Sequence, residues 1–393
     1  MDMGYFGADR ADRLRRESVQ DKWQDAYAPV RHLDPVLVIT AVLLSVLGIV
    51  VIYSAKVHQL ELQGLPTGLF ATRQLIALVV GLIAMAAVAV FDYRYLRAYA
   101  AVLYAGSLVM LALVLTPLGV EVNGAQAWLA FGGFQFQPSE ITKVAVIVAI
   151  AALLHERRED PGLVSVLLSL AILAPPLGLI MLQPDPGTAS VFLFTAFVLL
   201  LVAGIQFRWL GALAGLGVAG LVAVIQAGLL KEHQVARLTA FLDTENSAYA
   251  QTIRYNSDQS LIAIGSGQFF GKGLFQGTQT NLSYVPENHT DFIFTVVGEE
   301  FGFVGAIAVL GLIAVLLWRG LRIAMLAKDR FGMLVAAGAV GMIVFQVFVN
   351  VGMTVGIMPV IGIPLPFVSY GGTSLIASFI LVGLLLNVHM RRF

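Results

Sequence analysis

Five polar clusters interrupt the apolar stretches of this 393-residue chain, and each carries groups suited to proton transfer or anion binding. In VPENHTDFIFTVVGEE (285–300), Asp291 follows His289 by two residues and Glu287 by four, at the mouth of an apolar run. Thr290 or Asp291 would cap a helix there. Equally, a carboxylate at a lipid–water boundary, backed by Phe292 and Phe294, suits a general base with a tuned pKa. Glu299 and Glu300 lie deeper, and two adjacent carboxylates cannot both face lipid. QFQPSEITK (135–143) sets Glu140 and Lys143 three apart, on one helical face where they neutralise each other; a plain ion pair opening a helix and a functional pair both fit. QPDPGTAS (183–190) flanks Asp185 with two prolines. It reads either as a tight external turn capped by Asp185 or as non-helical backbone beside water. IGSGQFFGKGLFQGTQTNLSY (264–284) sets Lys272 between glycines, where it could reach an anionic headgroup, but it lacks the strand and the GxGxxG spacing of a nucleotide loop. GIPLPFVSYGGTS (362–374) breaks the last hydrophobic hairpin, as transporter helices do. Trp128 fits an interfacial belt, and His58, His155, His233 and His389 are scattered without metal-like clustering.

The elements that must hold these clusters are membrane helices. A soluble chain of this length at about 25% charge would carry about 98 charged side chains; this one has 24 Lys and Arg against 24 Asp and Glu. That scarcity excludes a soluble globule, and a net charge of zero argues against a nucleic-acid binder. The absence of Cys excludes a disulfide framework, Cys-ligated zinc and thiol catalysis. Apolar runs of helical length, about 18–24 residues, fall near 35–55, 72–91, 98–117, 139–155, 162–182, 188–206, 208–230, 291–318, 331–357 and 368–390. The fold class expected is an all-α polytopic membrane protein of ten spans, residues 34–393, after a cytoplasmic arm over 1–33. The run opening at Asp34 follows a polar segment without a cleavage site, so it reads as a span and not a signal peptide. With the N-terminus inside, 17 of the 24 cations fall in cytoplasmic segments, which places both termini in the cytoplasm. Three outer stretches, 118–138, 183–187 and 231–290, are polar and rich in Gly and Pro. The last is far longer than ordinary connections, and its Phe and Leu content predicts an ordered extracellular loop between spans 7 and 8.

At these segments the chain resembles the SEDS family (shape, elongation, division and sporulation), which holds RodA and FtsW. The resemblance runs from about Asp34 almost to the end, through NGAQAWLAFGGFQFQPSEITK, LQPDPGTAS, ARLTAFLD, the stretch from QSLIAIG to EEFGFVG, and NVGMTVGIMPVIGIPLPFVSYGGTS. GKGxxxGTQ leans toward the elongation member, RodA. The resemblance implies a peptidoglycan glycosyltransferase in the bacterial cytoplasmic membrane that polymerises lipid II at the outer face with a class B penicillin-binding protein, a transpeptidase. It puts the family's essential external Asp at Asp291, and other motif residues at Glu140, Lys143, Asp185, Arg237, Lys272 and Trp128. Three departures stand out. Ala127 and Asn288 occupy positions where the family commonly has Arg, and the stretch between Asp243 and Gln259 carries Arg254 in place of a Gly-containing turn.

On that footing, the acceptor sugar's 4-hydroxyl attacks the donor's anomeric carbon with inversion and expels undecaprenyl diphosphate. The chemistry needs a base at the hydroxyl and positive charge at the diphosphate. Asp291 is the candidate base, with His289 and Thr290 shaping its turn and Glu287 beside it. Arg237, Arg254, Lys272 and Lys143 are the candidate cations, and a divalent cation (Mg or Mn) on Asp185 or Glu140 is the candidate cofactor. Two other readings are a flippase for the lipid-linked precursor and a non-catalytic scaffold for the penicillin-binding protein. A flippase should show a polar path on the cytoplasmic side, where the loops are short and plain; a scaffold leaves Asp291 without a task.

Overall fold

The structure, a computed structural model, describes residues 32–122, 125–131, 134–159, 161–226 and 248–392; side chains of 131, 221, 224–226 and 248–254 are outside the description. It is mostly helical. Helix α1 (Pro35–Leu62) starts at a Pro behind the Asp34 cap, whose Oδ1 accepts from Leu37 N at 3.2 Å. Then come α2 (Leu69–Val90), the short α3 (Tyr93–Ala98) and α4 (Ala100–Val114). Helices α5 (Pro138–Glu156), α6 (Leu163–Leu182), α7 (Pro186–Val202), α8 (Phe207–Gln226), α9 (Ala248–Ser266), α10 (Thr278–Asn281), α11 (Ile293–Met325), α12 (Arg330–Thr354) and α13 (Gly372–Met390) complete the order.

Among the described residues, seven helices are long and apolar enough to cross a bilayer: α1, α2, α5, α6, α11, α12 and α13. Helices α4, α7 and the 207–220 part of α8 are apolar but shorter. The all-α expectation needs a correction at 118–138, which forms a three-stranded antiparallel sheet of β1 (Gly119–Val122), β2 (Ala125–Phe131) and β3 (Phe134–Phe136). Valines and aromatics over short alternating runs favour this pleated hairpin. The described part of the 231–290 stretch is itself largely helical, because α9 occupies 248–266.

Burial separates two layers. Helices α5, α12 and α13 are 78, 72 and 83% buried over their apolar windows, whereas α2 and α6 are 33% buried and α11 only 22%. The first three therefore form the centre and the others present apolar surface to lipid. Helix α13 lies along α2, and α12 packs between α11 and α7. Two amides fasten α2 to the last part of the chain. At one end of α2, Gln74 Nε2 donates to Ser369 O at 3.1 Å and its Oε1 accepts from Gly371 N at 3.1 Å. At the other end, Asn387 Nδ2 donates to Val88 O at 2.5 Å and to Phe91 O, satisfying carbonyls left without a helical partner where α2 ends.

Candidate functional site

Three backbone breaks converge where the helices meet at one end of the bundle. At the first, Pro184 to Pro186 stop α6, and Asp185 caps α7: Oδ1 accepts from Thr188 N at 2.9 Å and Oδ2 from Thr188 Oγ1 at 2.7 Å. At the second, the turn before α11 closes through Phe292 N to Glu287 O at 3.0 Å and Thr290 Oγ1 to Glu287 Oε2 at 2.7 Å. This turn carries Asp291. The third is the Pro-rich segment 361–371, which supplies the clasp. Asn350 Nδ2, from buried α12, donates at 2.7 Å both to Asp291 O and to Ile363 O. Ser369 Oγ donates to Thr290 O at 2.6 Å, and Tyr370 N donates to His289 O at 2.9 Å. Gly362, at φ +72°, sits so close that a Cβ there would lie 3.2 Å from Asp291 Oδ2. Only Gly adopts that backbone without strain while leaving the carboxylate its space.

Together these breaks and the β-sheet wall a cavity of about 430 Å³, a size suited to a small-molecule or substrate headgroup site. Its lining brings together Trp128, Glu140, Asp185, Glu287, His289 and Asp291, six of the residues singled out from sequence, from four separate chain segments. Glu140 is buried and paired with Lys143 at 2.8 Å. Lys143 stands behind the wall, since the lining does not include it. His289 is held between Phe70 and Tyr370, with ring centroids at 5.1 and 5.5 Å. Burial, and secondarily the charge of Lys56, push its imidazole pKa down to about 3, so the ring is neutral at physiological pH.

Lys272 is elsewhere. Its Nζ meets Glu299 Oε1 at 2.7 Å and Thr278 Oγ1 at 2.6 Å. Glu299 also accepts from Gln279 N, Thr280 N and Thr280 Oγ1 at 2.8–2.9 Å, so this carboxylate seats the start of α10. The glycine-rich stretch is thus fastened onto α11 and is not part of the cavity wall. Arg237 lies outside the described residues, as does the side chain of Arg254. Of the two donors suggested for a divalent cation, Asp185 accepts from Thr188 through both oxygens and Glu140 pairs with Lys143, and both line the cavity. Among the described residues no group of three His, Cys, Asp or Glu could hold a metal ion.

Comparison with known proteins places this geometry. The model of the FtsW–RodA–SpoVE family, described as cell cycle proteins, matches residues 34–392. The chain belongs to that family. It is 38% identical to stage V sporulation protein E of Bacillus subtilis, covering 90% of this chain and 96% of the relative. It is 36% identical to the peptidoglycan glycosyltransferase MrdB of Escherichia coli K12, covering 92% and 94%. Among solved structures it matches the Thermus thermophilus rod shape determining protein RodA with a TM-score of 0.67 at 34% identity, covering 92% of this chain and 98% of that one. It also matches a chain from work on "structural coordination of polymerization and crosslinking by a peptidoglycan synthase complex", with a TM-score of 0.76, 35% identity and the same coverage.

Sequence reasoning missed three functional side chains of this SEDS protein. Among the described residues Arg73 is the one Lys or Arg on the cavity lining, and its signal was a lone Arg at the start of an apolar run. Asn350 and Gln74 are single amides inside such runs, where an unsatisfied polar group is costly and so marks a partner.

Proposed function

We propose that this chain polymerises lipid II into glycan strands at the outer face of the cytoplasmic membrane, in cell elongation, together with a class B penicillin-binding protein. The chain is a glycosyltransferase: relatives named peptidoglycan glycosyltransferases are 36–37% identical over most of its length. The reading takes the three shorter apolar helices as spans, giving ten, with both termini in the cytoplasm. It rests on one observation above others: Asp291 and Arg73 line the same cavity. One is a base for the attacking 4-hydroxyl, the other a cation for the departing diphosphate.

The proton passes from the acceptor hydroxyl to an Asp291 carboxylate oxygen as the oxygen attacks the anomeric carbon. The bond to the diphosphate breaks on the opposite face, and Arg73 takes up its charge as a forked donor. His289, neutral, shapes the turn and carries no charge of its own. The Lys143–Glu140 pair at the wall is neutral as a unit and keeps the Glu140 carboxylate from adding net negative charge to the cavity. Lys272 holds the outer segment through Glu299 and takes no direct part. No step is routed through a metal ion.

The test is polymerisation of labelled lipid II by the purified protein with its presumed transpeptidase partner. Asp291→Ala should lower the rate by about 100- to 10,000-fold, the span of general base catalysis, with folding intact by thermal unfolding. Undiminished polymer from a folded Asp291→Ala protein refutes the mechanism. A wild type that makes no polymer but moves lipid II across liposomes establishes the flippase reading instead.

A further inference from the structure

His289 is held more firmly than the shaping of a turn requires. Tyr370 N donates to its carbonyl at 2.9 Å. Its ring lies 5.1 Å from Phe70 at 72° and 5.5 Å from Tyr370 at 29°, and those two rings meet each other at 5.1 Å. All three rings are on the cavity lining. A side chain so fixed has given up its rotamer freedom before any ligand arrives. Its two ring nitrogens differ. Nδ1 is buried and has no hydrogen-bond partner among the described residues. Nε2 makes no hydrogen bond to those residues either, but it is not buried, so it is the nitrogen that opens onto the cavity. The neutral imidazole carries one proton. A buried N–H without an acceptor is rarer and costlier than a buried lone pair, which puts that proton on Nε2. His289 therefore presents an uncharged, rigidly aimed donor to whatever fills the cavity.

What meets this donor follows from the order of residues along the wall. Arg73 lies one helical turn beyond Phe70 on α2, so the two share a face, and both line the cavity. Phe70 touches His289, and His289 precedes Asp291 by two residues. This sequence of contacts sets His289 between the cation for the diphosphate and the base for the attacking hydroxyl. In the proposed reaction the group that spans that interval is the donor sugar, whose anomeric carbon is joined to the diphosphate and attacked from the other face. The neighbouring carbon of that sugar bears an acetamido group, and its carbonyl oxygen is a neutral acceptor. A charged imidazolium would compete with Arg73 for the diphosphate, whereas a neutral N–H leaves that anion to the guanidinium.

We infer that His289 is a specificity-determining residue whose Nε2–H donates to the acetamido carbonyl of the donor sugar, so that the site selects a 2-acetamido sugar at the reacting position. The inference rests on the proposed function but is read by binding, without turnover. The full-length protein is titrated calorimetrically with lipid II on a shortened isoprenoid chain, and with an analogue whose donor sugar has hydrogen in place of the acetamido group. The wild type should bind the analogue about tenfold more weakly, because the buried donor is then left unpaired. His289→Phe keeps a ring between Phe70 and Tyr370 but has no N–H. It should bind the short-chain lipid II about tenfold more weakly than wild type and bind the two compounds equally. His289→Gln returns an amide donor and should recover most of the preference. A wild type that binds both compounds equally, or neither, overturns the inference. So does a His289→Phe protein that keeps the preference, or one that weakens both compounds alike, since that marks a packing role only. A preference that follows His289 in a protein that makes no polymer removes the proposed function and leaves the acetamido contact in place.

Discussion

Asp291 is anchored through its backbone carbonyl. Asn350 grips its carbonyl, so Asn350→Ala would strand two buried carbonyls, Asp291 O and Ile363 O, at about 1–3 kcal/mol each. The expected result is a lowered thermal midpoint in detergent and a disproportionate fall in kcat. Gly362→Ala forces a side chain into φ +72° and against the carboxylate, costing about 1–3 kcal/mol and most of the activity. His289 gives a pH prediction. Its folded pKa, about 3, lies below the unfolded value of about 6.5, so between those values the unfolded chain binds the extra proton. Stability from this group is complete above about pH 6.5 and is lost as pH falls toward 3. A His289→Gln protein should lose less of its thermal midpoint between pH 7 and pH 4 than wild type. At this scale the sequence was informative wherever polar residues cluster, as in PENHTD, and silent for Arg73, Gln74 and Asn350; Gln74 meets Ser369 from 295 residues away and Asn350 meets Asp291 from 59.

At the scale of elements, α11 is two pieces. Gly302, at φ +65° and ψ −160°, breaks it, and the 267–273 loop satisfies the backbone groups the break frees. Lys272 N and Gly273 N donate to Glu299 O and Glu300 O, while Phe303 N and Val304 N donate to Gln268 O and Phe269 O, all at 3.0–3.1 Å. Such a break is tolerated at membrane depth only because neighbouring backbone repairs it. A Cβ at Gly302 would come within 2.3 Å of Gly271 N. Gly302→Ala should therefore expel the loop, seen as faster proteolysis within 248–290 and loss of polymerisation. Gly267 and Gly271 of GSGQFFGKG are explained by this contact, since a Cβ at either would strike the 298–302 backbone, a role their spacing could not reveal. Strands β1–β3 and α9 were likewise invisible to periodicity: the strands are three to seven residues long, and α9 is too polar to register as an apolar run. The long apolar helices were legible because lipid imposes a minimum length on them.

For the whole molecule, the placement of Lys and Arg predicts which ends face the cytoplasm. Single cysteines, absent from the native chain, should react with an impermeant maleimide in intact cells at positions 66 and 283, but at 158 and 328 only after lysis. Labelling of 158 from outside would invert the topology. One long-range anchor is the pair of Arg319 with Asp34, which ties the last turns of α11 to the start of α1. Asp34→Asn leaves that guanidinium without its anion and should destabilise by about 3–5 kcal/mol, read as a fall in the thermal midpoint. Sequence could not place this pair, because its members are 285 residues apart. The two amides on α2 act at the same scale. Gln74 and Asn387 pin α2 and α13 together at opposite membrane faces, so the pair behaves as a strut that cannot shorten by sliding.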